Sequence, residues 1–186
     1  YMGRIATEKN IEALIRAWQK VEPKGCRLVI VGDGPLRSTL ESNSLSPNGK
    51  ELIWWGYEPN LETRIALLQC AEVFILPSLV EGLSLSLLEA MATGTACVAT
   101  DAGADGEVLE NGAGILLSTQ GVTTQLCTLL PILRDQPVLT TELGRRARLR
   151  VLERYTLNHN IDRLERLYQT ILALPKRKHI NPAGDC

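Results

Sequence analysis

Two glutamates, Glu81 and Glu89, bracket a stretch whose other residues are only glycine, serine and leucine (EGLSLSLLE). An ionised carboxylate is costly to bury without a partner, so two of them around four leucines need explaining. One explanation is a buried helix with a surface glutamate at each end. The other is a pocket in which each carboxylate holds a ligand. Pro77-Ser78 ends an apolar run, and a helical pattern resumes near Leu85 with Ser84 suited to cap it. Glu81 and Gly82 would then lie beyond the carboxyl end of a parallel strand, where open α/β sheets bind ligands. The start of the helix aims free N–H groups and a positive dipole end into that crevice, which favours a phosphate or diphosphate. Gly82 leaves the backbone room to approach it. Glu89, about one turn further on, suits vicinal hydroxyls such as those of ribose, because a carboxylate accepts paired hydrogen bonds. Glu81 would do the same for a sugar on the other side of the phosphates.

Near the start, GRIATEK sets Arg4 and Lys9 on either side of a loop that leads into a helical pattern at 10–21. A cationic pair there would neutralise a diphosphate, Arg4 through a bidentate fork and Lys9 as a point charge. The turn VGDGPLR supplies Gly32 and Gly34, but the sixth position of a dinucleotide fingerprint is Arg37. The glycine that permits close helix–strand packing is missing, so the pair reads as a tight turn and a nicotinamide enzyme is disfavoured.

These groups need a scaffold that brings strand ends together. Five short apolar runs read as strands: RLVIVG (27–32), LIWWG (52–56), VFILPS (73–78), ACVAT (96–100) and GILLS (114–118). Most are continuous rather than alternating, as in parallel strands covered on both faces. Between them lie helical patterns at 10–21, 35–45, 61–70 and 85–93, with Pro35 suited to a first helical position and Gly94 to a C-terminal stop. After Ser118 only helices follow, at 123–136, 140–156 and 158–172, with Pro131 expected to kink or interrupt the first. The reading is an α/β, Rossmann-like three-layer domain over 1–174, a parallel sheet with helices on both faces and a helical C-terminal extension. A disordered tail is expected at 175–186. Tyr1-Met2-Gly3-Arg4 reads as the end of a strand, which suggests a fragment of a larger protein.

Composition narrows the function. The 186 residues are 45% hydrophobic and 22% charged, and 20 basic residues against 21 acidic ones give no electrostatic case for nucleic acid. No apolar run reaches the ~20 residues that span a bilayer. Five cysteines without a CxxC pair fit a reducing, cytoplasmic setting, and the only histidines, His159 and His179, belong to no cluster with metal-ligand spacing.

Taken together, the motifs resemble the C-terminal, nucleotide-sugar-binding half of a retaining GT-B glycosyltransferase of the group 1, or family 4, type. The family's G-R-x4-K corresponds to Gly3-Arg4 and Lys9. Its I-V-G-x-G-P turn corresponds to Ile30–Pro35, and its A-D-V-F-x-x-P-S strand to Ala71–Ser78. The E-x7-E element is Glu81 to Glu89 within a segment reaching Ala92. V-A-T-D-x-G corresponds to Val98–Gly103 and E-V-x-x-x-G to Glu107–Gly112. The resemblance implies that Glu89 holds the ribose hydroxyls and Glu81 contacts the transferred sugar. It implies that backbone N–H groups of Gly82, Leu83, Ser84 and Leu85, with Arg4 and Lys9, hold the diphosphate of a UDP- or GDP-hexose. There is no Asp-x-Asp, in keeping with the family's independence from divalent metal. The acceptor site would belong to an N-terminal domain, so this chain alone should bind donor without turnover. Its last helix, crossing to that domain, should show an apolar face. Membrane contact of the full-length enzyme has no support in this sequence.

Two departures stand out. Glu81-Gly82-Leu83-Ser84 replaces the more usual Glu-Gly-Phe-Gly, and Glu72 replaces an aspartate. Trp54, Trp55 and Gly56 are weak candidates for contacting the base. The alternatives are a non-catalytic nucleotide-binding module of the same fold and a sugar-nucleotide epimerase. The intact set of Arg4, Lys9, Glu81 and Glu89 speaks against the first. The absence of a histidine near any strand's carboxyl end speaks against the second.

Overall fold

The computed structural model describes residues 1–44 and 52–173. Five parallel strands form where the apolar runs lie: β1 Leu28–Val31, β2 Leu52–Gly56, β3 Val73–Leu76, β4 Ala96–Thr100 and β5 Ile115–Leu117. Every residue of β4 is buried, as continuous hydrophobicity with cover on both faces requires.

The single expected sheet is present as two hydrogen-bonded parts, β1–β2 and β3–β4–β5. Met2 extends the first part through a parallel bridge to Val31. Residues 1–3 take the edge of β1 that β2 leaves free, the Val31 N–H donating to the Tyr1 carbonyl and the Gly3 N–H to the Val31 carbonyl, and a cavity of about 650 Å3 is lined by Tyr1, Met2, Val29, Phe74 and Ile75 among others. Among the described residues, no ladder joins this edge segment to β3.

Helix α1, Ile11–Val21, buries Ile11, Leu14, Ile15 and Trp18, the three- and four-residue spacing of one helical face. It packs against α6, Val122–Asp135. Helix α3, Leu61–Cys70, starts at Asn60, whose side-chain oxygen accepts the Thr63 N–H at 2.9 Å. It lies beside α4, Leu85–Thr93, which in turn packs on α7, Pro137–Arg154. Leu87 and Met91 of α4 are fully buried, each contributing about 1.5–3 kcal/mol of transfer free energy. Ser84 caps α4 and Gly94 ends it with a left-handed φ of 82°, as the sequence suggests.

Three details differ from the sequence reading. Helix α2 spans Arg37–Asn43, so Pro35 sits in the preceding turn rather than at a first helical position. Helix α6 continues through Pro131 without interruption. A short helix α5, Asp105–Leu109, and a 3-10 turn at Glu110–Gly112 follow β4 where no helix is expected. Buried Arg150 of α7 secures this region, donating to the Glu107 carbonyl at 3.0 Å and lying 3.7 Å from Glu110. The expected tail at 175–186 lies outside the described residues.

Helix α8, Leu157–Ala173, buries none of its residues. Leu157, Ile161, Leu164, Tyr168 and Ile171 form an exposed apolar face along it, as the sequence reading expects. Among the described residues, no helix is long and apolar enough to cross a membrane.

Candidate nucleotide-sugar site

Three segments meet at the carboxyl ends of the strands: residues 3–10, 77–85 and 100–105. Hydrogen bonds to backbone carbonyls, two of them from the side chains of Asn10 and Thr100, fix their relation. The Leu79 N–H donates to the Glu8 carbonyl at 2.8 Å, and the Asn10 amide donates to the Pro77 carbonyl at 3.2 Å. The Thr100 hydroxyl donates to the Ser78 carbonyl. Lys9 closes a 3-10 turn, Thr7–Lys9, and Asn10 leaves it in a left-handed conformation (φ 49°), which turns the chain into α1.

That turn delivers Lys9 to Glu81. The ammonium lies 2.6 Å from Glu81 Oε1, which also accepts the Ser78 hydroxyl at 2.7 Å. The Glu81 side chain is only 7% exposed, so the partner that a buried carboxylate requires is present inside the protein. Ser78 is a residue to which sequence reasoning gave no role. Its place at the end of β3, three residues before Glu81, was the available signal.

The loop after Glu81 is strapped from the other side. The Ala104 N–H donates to the Gly82 carbonyl at 2.8 Å, and the Ser84 N–H donates to Asp105 Oδ1 at 3.2 Å. The Ser84 hydroxyl in turn accepts the Leu87 N–H. Gly82, Leu83 and Leu85 are exposed at the start of α4. Arg4 is exposed as well, and within the described residues its guanidinium has no partner. Its carbonyl accepts the Tyr1 hydroxyl at 2.7 Å. Gly32 and Gly34 serve close approach: a Cβ on either would fall 1.9 or 2.3 Å from the carbonyl oxygens of Gly3 and Ile5. The turn therefore seats the Arg4 loop, in line with its reading as structural.

Glu89, one turn into α4, is engaged by a residue that the sequence did not single out. Arg64 of α3 donates to Glu89 Oε1 at 3.0 Å, with both side chains partly exposed. Trp54 donates to the Ser44 hydroxyl at 3.3 Å, whereas Trp55, 47% exposed, donates to Glu58 at 3.1 Å.

Asp105 was also missed. It has no exposed surface, and its Oδ2 has no hydrogen-bond partner. Burial pushes its carboxyl up to about 6, with Glu81 adding repulsion, while the Ser84 N–H and Lys9 pull the other way. An unfolded aspartate ionises near 4. Between about pH 4 and 6 the folded chain therefore holds more protons than the unfolded one, and this group's contribution to stability falls as pH rises through that window. Asp105→Asn keeps an acceptor for Ser84 and removes the buried charge. It should raise stability by about 1–2 kcal/mol at pH 7.5, a gain that closes near pH 4, as urea unfolding at the two pH values would read out.

The fold is that of GT-B glycosyltransferases. The HepE protein of Anabaena, solved in complex with UDP, superposes with a TM-score of 0.77 at 19% identity, over 93% of this chain and 48% of that one. The C-terminal domain of a group 1 family glycosyl transferase (LpcC) from Francisella tularensis gives 0.75 at 23% identity, covering 84% of each chain. The family model for glycosyl transferases group 1 matches residues 1–131, and the chain belongs to that family. The alpha-D-kanosaminyltransferase of Streptomyces kanamyceticus is 28% identical over 173 residues. The match covers 92% of this chain and 45% of that enzyme, so the chain spans less than half the length of this relative.

Proposed function

We propose that this chain is the donor-binding domain of a retaining glycosyltransferase that takes a nucleoside-diphosphate hexose without a divalent metal. The observation that carries the reading is the convergence of Lys9, Glu81 and the capped start of α4 at one strand-end crevice. The HepE neighbour bound to UDP supports a nucleotide ligand of this kind.

In this reading the diphosphate lies against the backbone of Gly82, Leu83, Ser84 and Leu85, with Arg4 and Lys9 beside it, and Glu89 takes the ribose. Transfer exchanges the bond between the anomeric carbon and the β-phosphate oxygen for one to an acceptor hydroxyl oxygen: the electron pair of the broken bond leaves with the nucleoside diphosphate, which also takes up the hydroxyl proton. Lys9 and Arg4 oppose the growing negative charge as fixed cations, assisted by the positive end of α4. Glu81, held by Lys9 and Ser78, accepts hydroxyls of the hexose and fixes its orientation. The acceptor enters from a second domain, which α8 meets through its apolar face. This chain alone binds donor but does not turn it over.

A thermal-shift panel with UDP, GDP, ADP and their hexose conjugates, in EDTA, tests the reading. A ligand at ~100 times its Kd adds about 2.7 kcal/mol, or about 5–11 °C for a chain of this size. The shift should appear with one base and fall by about half or more in Glu89→Ala. A panel with no shift, or a shift untouched by that substitution, would sink the assignment.

A further inference from the structure

We infer that Arg64 is a positioning residue for recognition of the nucleotide's ribose, acting through Glu89. The inference rests on the reading of Glu89 as the ribose carboxylate and names a residue that sets its geometry.

Arg64 and Glu89 come from different helices, α3 and α4, and meet at 3.0 Å through one guanidinium nitrogen and Oε1 alone. The Arg64 side chain is 30% exposed and that of Glu89 38% exposed. An ion pair at such a rim adds little to stability. Yet Arg64 Nε is buried without a hydrogen-bond partner, a cost that a purely stabilising contact would not favour. Among the described residues, Glu89 Oε2 accepts no hydrogen bond.

This pairing has two consequences for a bound nucleotide. A glutamate one turn into a helix samples several rotamers, and pinning one oxygen fixes the plane of the carboxylate. A carboxylate has about four acceptor sites, so Oε2 and the second lone pair of Oε1 stay available to a 2′,3′-diol. Arg64 also offsets the negative charge of Glu89 close to where a diphosphate would sit. The arrangement thus permits a carboxylate to recognise ribose without repelling the phosphates attached to it.

The test compares Kd values for UDP, GDP and ADP with that of the 2′,3′-dideoxy form of whichever binds. The proteins are the parent chain, Arg64→Met, Arg64→Lys, Glu89→Ala and the Met/Ala double variant. The parent should prefer the ribonucleotide by roughly tenfold or more, the worth of a hydrogen bond to a charged group. Arg64→Met should reduce that ratio to about threefold or less, and Arg64→Lys should restore part of it. In the Glu89→Ala background, Arg64→Met should have no further effect on the ratio. A helix cross-link that only adds stability would lower Tm in Arg64→Met and leave the ratio unchanged, and that result overturns the inference alone. A parent chain that binds no nucleotide, or binds both forms equally, overturns the reading of Glu89 and the inference with it.

Discussion

Gly103→Ala should destabilise this chain by about 3 kcal/mol or more and abolish its nucleotide-induced thermal shift. Gly103 adopts a φ of +61°, which costs a residue with a Cβ roughly 1–2 kcal/mol. The space is also taken. An added Cβ would sit 1.9 Å from the Glu81 carbonyl oxygen and 2.9 Å from that of Gly82, both backbone atoms that no rotamer change can remove. Either the 101–105 strap or the loop at 81–84 must move. The two are joined through Ala104 to Gly82 and through Ser84 to Asp105, so neither moves alone. At 2–4 °C per kcal/mol for chains of this size, Tm should fall by about 6–12 °C. Gly82→Ala is the matched control: nothing lies within 4 Å of a Cβ there. It should leave Tm within about 2 °C while weakening diphosphate binding, because the backbone loses its close approach. Equal effects from the two substitutions would show that the strap does not shape the phosphate loop.

Lys9→Met should have the largest effect on chemistry. In the full-length enzyme we expect kcat to fall by about 100- to 1,000-fold, the usual consequence of losing one fixed stabiliser of developing charge. The donor KM should change much less, because the ground-state diphosphate keeps Arg4 and the start of α4. Stability should fall too, since Glu81 would be left nearly buried with only the Ser78 hydroxyl. Lys9→Arg separates the two effects. It restores charge to Glu81, yet its planar fork fits poorly where a compact ammonium reaches one oxygen at 2.6 Å. A kcat for Lys9→Met within tenfold of the parent would remove Lys9 from the transition state.

Elements whose signal is local were legible in the sequence. Continuous apolar runs marked all five strands, helical spacing marked α1, α3 and α4, and Ser84 and Gly94 bounded α4 as their chemistry suggests. The division of the sheet into two hydrogen-bonded parts was not legible, because strand pairing depends on residues far apart in the chain. Helix α5 escaped notice because five residues between Gly103 and Gly112 carry too little periodicity to read. Within the site, the sequence named Lys9 and Glu81 separately, but their 2.6 Å contact across 72 positions is a product of folding. Arg64 lay in an ordinary helical pattern that gave no hint of its partner. Asp105 had a detectable trace: a carboxylate two residues after a glycine, beyond the carboxyl end of a strand.

The division of the sheet into two parts has a kinetic side. Among the described residues, 1–44 and 52–56 share no strand pairing with 73–117, and Leu79 to Glu8, Asn10 to Pro77 and Lys9 to Glu81 join them at the crevice itself. The crevice therefore lies on a seam of the molecule and forms only when both halves have docked. Partial opening along that seam separates Lys9 from Glu81 while each half keeps its own strands. Hydrogen exchange at the Leu79 amide, which crosses the seam, should follow this opening rather than global unfolding. A nucleotide spanning both sides acts as a clasp, slowing that amide's exchange far more than exchange inside β4.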